Sequence, residues 1–437
     1  MTEVLFRRVP ALASLRGYGL EAARADLIAG FSVAAVAVPQ AMAYALIVGL
    51  PPEIGLYTAI VMTTIGALLD SSKQLINGPT NAISIALLSI VGPFGTPEER
   101  ASVAILMAFL VGAVQLAISF LRLGDLTRYI SHSVIVGFTA GASVLLVLDQ
   151  AKNFLGLGAV GGPEDHFLVR FWLTMTKGGE VHLPTFAVGV ASMAFLLALR
   201  WLKSRLDWPL LPEFLVVVVS SAVVTAVLRL DADGVRVVGE IPAALPAFAL
   251  PDFDSARVRE LANGALVIGL LGLLEAISMA KSIASVTKQK LDLNQQCLSE
   301  GLANLVGSFF RCMPGSGSLT RSAINQQAGA RTQWSGVISA IAVAATTLLL
   351  APYARYVPRS ALAALLVVTA VRMVNLEHLR YHLRISRFDA VIVSVTAIAA
   401  VAISIEFCVL VGVFLSALLA VPRTGQMLLT EFVVGAD

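Results

Sequence analysis

One arginine, one glutamate and a glutamine–tyrosine pair are the side chains here whose type and setting could do chemistry. Arg321 stands in S-L-T-R-S, within long apolar territory. At bilayer depth an arginine costs roughly 2.5–3.5 kcal/mol on insertion scales, so it must face the protein interior or a wet cavity. There it supplies a positive field for an anion, forms a structural ion pair, or snorkels toward the membrane surface. Glu275 sits in L-V-I-G-L-L-G-L-L-E-A-I-S-M-A, with no basic residue for many positions upstream. Burial disfavours the charged form of such a carboxylate, which suits a proton carrier. Cation coordination, a salt bridge to Arg321 and a neutral hydrogen-bonded acid stay open. Gln40 and Tyr44 are spaced i, i+4 and share a helix face. Both offer neutral donors, and spacing alone favours interhelix hydrogen bonding over ligand binding. The five histidines show no triad or metal spacing, and phosphate-loop, nucleophile-elbow and zinc patterns are absent. The expectation is no enzyme, no metal, no cofactor and no nucleic-acid partner.

The elements that must position these residues are two broken segments. The first reads G-P-T-N-A-I-S-I-A-L-L, Gly78 to Leu88, and the second M-P-G-S-G-S-L-T-R-S-A-I-N-Q-Q, Met313 to Gln327. Irregular backbone survives at membrane depth only where protein buries it or it lines a cavity. Gly/Pro-interrupted segments at matching places in two halves are the sequence pointer to a transporter's binding site. A helix N-terminus leaves N–H groups free and carries roughly half a positive charge. Pro79 and Pro314 suit helix starts because they have no N–H to lose, and Ser316 or Ser318 can cap the second. Two opposed half-helices would then build an anion site from backbone alone. The residues before each start, Gln74-Leu75-Ile76 and Phe309-Phe310-Arg311-Cys312, can run extended and pair as a two-stranded element. Asn325, Gln326 and Gln327 are expected to pack against neighbours. The alternative is a pair of helix kinks without a ligand, which leaves the shortness of both segments unexplained.

The surrounding chain is membranous. Its 437 residues are 57% hydrophobic and 14% charged, and the mean hydropathy is +0.83, which excludes an ordinary soluble domain. About fourteen apolar segments recur, near 27–48, 54–69, 79–92, 101–121, 132–149, 184–202, 212–229, 263–286, 296–310, 318–330, 334–351, 359–374, 388–404 and 405–420. The third and tenth are too short to cross roughly 30 Å of hydrocarbon as complete helices. The three cysteines, Cys297, Cys312 and Cys408, show no metal spacing, and an odd count argues against a disulfide framework. No signal peptide pattern opens the chain. Residues 1–24 carry Arg7, Arg8, Arg16 and Arg24 and are expected to form a cytoplasmic helix on the membrane surface.

Charge placement orients the spans. Arg122 and Arg128, then Arg200, Lys203 and Arg205, Lys281, Lys288 and Lys290, Arg331, and Arg372, Arg380, Arg384 and Arg387 all fall on the side of the N-terminus. Glu164, Asp165, Glu180 and the mixed loop 230–262 fall on the other. By the positive-inside rule both termini are cytoplasmic. The halves also register: Pro79 and Pro314 are 235 positions apart, an offset that carries Asp26 to Leu261 and Gln40 to Glu275. An odd number of spans per half makes the repeat inverted.

Several stretches resemble the sulfate permease (SulP) family, the solute carrier family 26 group of anion transporters. They are A-V-P-Q-A-M-A-Y-A-L-I-V-G-L-P-P-E-I-G-L-Y-T (Ala37 to Thr58), I-N-G-P-T-N-A (Ile76 to Ala82), V-G-E-I-P-A-A-L-P (Val238 to Pro246), D-L-N-Q-Q-C-L-S-E-G-L-A-N-L-V-G-S-F-F (Asp292 to Phe310), Ser318 to Ser322, and R-Y-V-P-R-S-A-L-A-A-L (Arg355 to Leu365). The resemblance implies an all-α membrane protein of 14 transmembrane segments in a 7+7 inverted repeat, the nucleobase-permease-like fold. Half-helices 3 and 10 would each be preceded by a short antiparallel β-strand. It further implies a cytoplasmic N-terminal segment (1–26), a core domain (27–130 and 263–352), a gate domain (131–262 and 353–422) and a C-terminal tail (423–437). The core would move against the gate as an elevator. Homodimers are the family's usual assembly.

By that resemblance the expected substrate-binding residues are Gln40, Tyr44, Pro79, Thr80, Asn81, Gly317, Ser318, Leu319, Thr320 and Arg321, with Glu275 for ion coupling. Two departures stand out. The family commonly reads N-Q-E where this chain has Asn294-Gln295-Gln296, and its usual cytoplasmic STAS domain is not expected within 423–437. The function so implied is secondary transport of a small anion (sulfate, bicarbonate, or a C4-dicarboxylate such as fumarate) as a proton-coupled symport in a bacterial inner membrane. The expected partners are the anion, protons and membrane lipid. An uncoupled channel, an exchanger and a nucleobase permease of the same fold are the alternatives.

Overall fold

The computed structural model describes residues 9–122, 132–162, 165–206, 208, 211–374, 379–380, 387–403, 408, 411–412 and 415. Expectations placed on Arg7, Arg8, Arg128, Glu164, Arg384, most of segment 405–420 and the tail 423–437 lie outside them. The elements are α1 (Pro10–Ser14), α2 (Leu20–Val48), α3 (Pro52–Leu69), β1 (Asn77–Gly78), α4 (Asn81–Val91), α5 (Pro97–Phe120), α6 (His132–Leu155), α7 (Phe167–Lys177), α8 (Leu183–Arg205) and α9 (Glu213–Leu228). They continue with α10 (Ser255–Thr287), α11 (Leu293–Ser308), β2 (Ser316–Gly317), α12 (Leu319–Gln327), α13 (Trp334–Ala354), α14 (Arg359–Met373) and α15 (Arg387–Ala402). Among the described residues, six helices (α2, α3, α5, α8, α10 and α13) are long and apolar enough to cross a membrane. Outward-facing Phe31, Val223, Leu349 and Ile398 stay exposed, as expected of faces that meet lipid rather than water.

Helix ends follow local chemistry. Gly49 closes α2 in the left-handed region, where a residue without Cβ is unstrained. Pro52 opens α3, where a missing N–H costs nothing. Asp254 caps α10 by accepting from the Ala256 N–H, and Asp292 caps α11 by accepting from the N–H groups of Asn294 and Gln295. Two helices start earlier than their apolar runs: α2 at Leu20 and α10 at Ser255. Glu21, Arg24 and Asp26 therefore lie on the first turns of α2 instead of on a separate surface helix. Of the expected surface segment, only the five-residue α1 is a distinct described helix. Helix α7, capped by the His166 imidazole, falls in a stretch assigned to a loop from sequence.

Small residues let the helices close on one another. A Cβ at Gly112 of α5 would meet the backbone of Leu305 and Gly301, and one at Gly301 of α11 would meet Leu116. Gly137 and Gly141 of α6 face α15 in the same way, against Val393, Ala397 and Ala400. This is the small-residue packing that membrane helices use in place of a hydrophobic driving force. One group of helices packs α2, α3 and α5 with α10, α11 and α13; another packs α6 and α8 with α14 and α15. Two stretches far apart in sequence meet in an antiparallel bridge between Val237 and Pro358: Val238 N donates to Val357 O at 2.9 Å and Arg359 N to Arg236 O at 2.9 Å.

The broken segments meet at β1 and β2, which pair antiparallel with Asn77 opposite Gly317 and Gly78 opposite Ser316. Ser318 N extends the pairing to Ile76 O at 2.8 Å. Helix α4 has 11 residues and α12 has nine; at 1.5 Å per residue each is roughly half of a bilayer crossing. Two expectations need correction. The strands are not at 74–76 and 309–312. Phe309 and Phe310 turn off the end of α11, and Arg311 takes a left-handed φ of 57°, which breaks any extended run there. The prolines do not open the half-helices either. Thr80 and Ser318 are the N-caps, in extended conformation with side chains accepting from Ile83 N and Arg321 N. Pro79 precedes the first cap, and Pro314 lies ahead of β2.

Candidate functional site

Glycine makes the crossing possible. Gly78 has φ 145°, a region open essentially to glycine, and a Cβ there would sit 2.7 Å from Arg321 Nη1. A Cβ on Gly315 would sit 2.5 Å from Gly78 O. Asn304 of α11 holds Gly315 from both sides, accepting from its N–H at 3.0 Å and donating to its carbonyl at 3.1 Å. Ser316 Oγ donates to Gly272 O at 2.7 Å, which fixes β2 to α10 one turn before Glu275.

On this frame, side chains from four elements converge: α2, the start of α4, α10 and α12. Arg321 is 1% exposed. Its Nη2 donates to Pro79 O at 2.8 Å, so the second half-helix reaches across to the start of the first. Its Nε has no partner. Glu275 Oε2 accepts from Thr80 Oγ1 at 2.9 Å. No ion pair joins Glu275 to Arg321, so the salt-bridge alternative is not what is built, although each lies close enough to feel the other's charge. Tyr44 is buried within reach of both charges. Gln40, one turn earlier on α2, is 4% exposed, and neither its amide nitrogen nor its oxygen has a partner. A buried amide without partners costs free energy unless something else satisfies it. Thr80, Asn81, Gly317 and Ser318 are buried around the same crossing, whereas Thr320 is half-buried and Leu319 stands apart with 47% exposure.

At the end of α12, Asn325 packs against neighbours as expected and Gln326 is half-buried, whereas Gln327 is exposed. Asn325 Nδ2 donates to Gln74 O and to Ser335 Oγ, and Gln74 Nε2 donates to Ala330 O. Residues 74–76 thus hold α12 through side chains, with Ile76 N donating to Ser322 Oγ at 2.9 Å. Sequence reading missed Asp26, fully buried and accepting from Arg331 N, Thr332 N and Thr332 Oγ1. It ties the loop after α12 to the first turns of α2. It also missed Asp70 and Glu300, both fully buried. A signal was present: Asp70 closes the apolar run 54–69, and Glu300 stands in L-S-E-G-L-A-N-L with no basic residue beside it.

These features define a class first: a multi-pass helical membrane protein in which two capped half-helices start at a shared strand pair beneath a buried guanidinium. The particular family follows from comparison. The model of the sulfate permease family matches residues 24–396, and the chain belongs to that family. It is 33% identical over 395 residues to the chloroplastic sulfate transporter 4.1 of Arabidopsis thaliana, covering 89% of this chain and 57% of that protein. It is 33% identical over 408 residues to the putative sulfate transporter YvdB of Bacillus subtilis, covering 93% of this chain and 74% of that one. The chain thus spans little more than half the length of the Arabidopsis relative. Among solved structures, the transmembrane domain of the cyanobacterial bicarbonate transporter BicA superposes with a TM-score of 0.78 at 25% identity, over 91% of this chain and 98% of BicA's. The murine anion transporter Slc26a9, in an inward-facing state, superposes with a TM-score of 0.88 at 24% identity, over 97% of this chain and 72% of that one. That second likeness establishes the fold.

Proposed function

We propose that the chain is a secondary transporter of small anions, working as a proton-coupled symporter. The observation that carries this reading is the pair of capped half-helix starts at one strand pair, with the Arg321 guanidinium laid across them. Backbone N–H groups, two helix dipoles and one fixed cation make an anion site. Gln40, with both polar atoms unpartnered, would complete the shell, together with Tyr44, Thr80, Asn81 and Ser318. The same residues give a neutral nucleobase no carboxylate other than Glu275, so the arginine favours the anion. Family membership and the sulfate and bicarbonate transporters among its relatives support an oxyanion; a C4-dicarboxylate fits the same chemistry.

The proposed architecture is fourteen spans in a 7+7 inverted repeat, with both termini cytoplasmic in a bacterial inner membrane and two chains per assembly. The core (27–130 and 263–352) would slide as an elevator against the gate (131–262 and 353–422). The division of helix packing into two groups supports that assignment. Glu275 carries the proton: its protonation reduces the charge moved with the loaded core, while its bond to Thr80 links it to the first half-helix.

The test is uptake of radiolabelled sulfate, bicarbonate and fumarate into proteoliposomes, with and without an inward proton gradient. Gradient-stimulated uptake of one of them is expected. Equal saturable flux in both conditions would replace symport with exchange, and non-saturable conductive flux would indicate a channel. Glu275→Gln should keep anion binding and lose the response to the gradient; a mutant still driven by pH would remove Glu275 from coupling.

A further inference from the structure

Behind the strand pair, on the side of α3 and α11, lies a second polar cluster that the anion site does not use. Asp70 ends α3 and Glu300 lies within α11; both are fully buried. Asp70 Oδ1 accepts from Gln296 Nε2 at 2.7 Å and from Asn77 Nδ2 at 3.3 Å. The two acids feel each other's charge, and the Gln296 side chain faces both. The Ser299 side chain also faces Asp70.

The pattern of satisfaction in this cluster is one-sided. Asp70 Oδ2, both carboxyl oxygens of Glu300, Gln296 Oε1 and Asn77 Oδ1 are all buried without a hydrogen bond of ordinary geometry. Every one of these atoms is an oxygen. The titratable groups whose charges act on Glu300 are Asp70 and Glu275, both acids, and Cys297 lies close enough to feel Glu300 in turn. Two carboxylates in such a place are strongly unfavourable unless a positive charge joins them. A single shared proton would bridge one carboxyl oxygen pair and leave the amide oxygens of Gln296 and Asn77 without a donor. A cation answers all of them, because hard cations take carboxylate, amide and hydroxyl oxygens together. No group of three or more His, Cys, Asp or Glu placed to hold a metal ion occurs among the described residues, so a site for a transition metal is not what these ligands build. A divalent ion of the magnesium type dehydrates reluctantly and keeps several waters, which a fully buried site does not favour.

We propose that Asp70, Glu300, Gln296, Asn77 and Ser299 form a resident site for a small monovalent cation, sodium being the matching probe. The ion would brace the strand pair, since Asn77 belongs both to this cluster and to β1, three residues before the Thr80 cap. This role is structural and does not depend on which anion the protein carries or on what drives transport.

The experiment is thermal unfolding of the purified full chain, titrating sodium gluconate against N-methylglucamine gluconate at constant pH and ionic strength. A ligand that binds only the folded state stabilises it by mass action. The expected result is a saturable rise in midpoint of about 2 °C or more with sodium. Glu300→Gln and Asp70→Asn should abolish the sodium dependence. Glu300→Asp, which keeps the charge on a shorter arm, should need more sodium for the same rise and covers the case in which the neutral variants do not fold. A midpoint indifferent to sodium overturns the proposal, as does a midpoint that responds to pH or calcium alone. An unchanged sodium titration in Glu300→Asp places the ion elsewhere and overturns it too. Because no substrate anion is present, the outcome is separate from the transport assay.

Discussion

The two half-helix starts look alike in sequence and are wired differently in space. At the first, Thr80 caps α4 and also donates to Glu275, while the preceding carbonyl of Pro79 accepts from Arg321. No residue from Gly78 to Asn81 is charged, yet this start receives both a carboxylate from α10 and a guanidinium from α12. At the second, Ser318 caps α12 and its backbone N–H joins the strand pair, while Arg321, one turn on, sends its charge to the other side. The second start supplies charge and the first collects it. A pair of half-helices that is pseudo-symmetric in backbone is therefore asymmetric in electrostatics. Coupling between a proton on Glu275 and an anion at the crossing would run through Thr80, not through a salt bridge.

The largest expected effect comes from removing the charge the second start lends. Arg321→Gln should lower anion uptake by on the order of 100-fold, as befits the loss of a buried charge-assisted interaction of about 2–3 kcal/mol. Size-exclusion and thermal profiles close to those of the native chain would separate this from misfolding; uptake near the native rate would break the comparison outright. Next in size is the contact that lets Arg321 cross. Gly78→Ala forces a Cβ against the guanidinium and strains a φ of 145°, and should destabilise by about 1–3 kcal/mol. Gly317→Ala, whose Cβ would approach Ala276 Cα at 3.0 Å with no strained φ, should cost less. Equal losses in the two variants, measured by thermal unfolding, would mean that the starts are equivalent after all.

This asymmetry marks the limit of what the sequence could disclose. The helices were legible because apolar runs and caps act locally, and the short segments were legible because Gly and Pro interrupt them. The β-pairing was foreseen but placed several residues too early, because its position depends on Asn304 clasping Gly315 from another helix. Arg321 and Glu275 stood out as charges in apolar surroundings. Their actual partners, Pro79 O and Thr80 Oγ1, lie 242 and 195 residues away, and no local pattern encodes such pairs. Asp70 and Glu300 carry a weaker form of the signal at Glu275, because polar residues flank them in sequence: Ser71, Ser72 and Lys73 follow Asp70, and Gln295, Gln296 and Ser299 precede Glu300. The early starts of α2 and α10 were hidden by charged residues that hydropathy reads as loop but that a helix end extending beyond the apolar layer tolerates well.

The smallest effect gives the finest test. Replacing an N-cap by alanine costs typically about 1 kcal/mol, and Ser318→Ala should cost about that much. Thr80→Ala should cost more, because it removes the same kind of cap and also leaves the Glu275 carboxyl without its donor. The excess is separable by a double-mutant cycle with Glu275→Gln. The Thr80→Ala and Glu275→Gln pair should show a coupling of about 0.5–3 kcal/mol in unfolding, whereas Ser318→Ala and Glu275→Gln should be additive. Coupling in both cycles would mean that Glu275 senses the strand pair as a whole. Coupling in neither would mean that the Thr80 hydroxyl serves only its helix, and the path from Glu275 to the anion would have to run through α10 and β2, where Ser316 holds the Gly272 carbonyl.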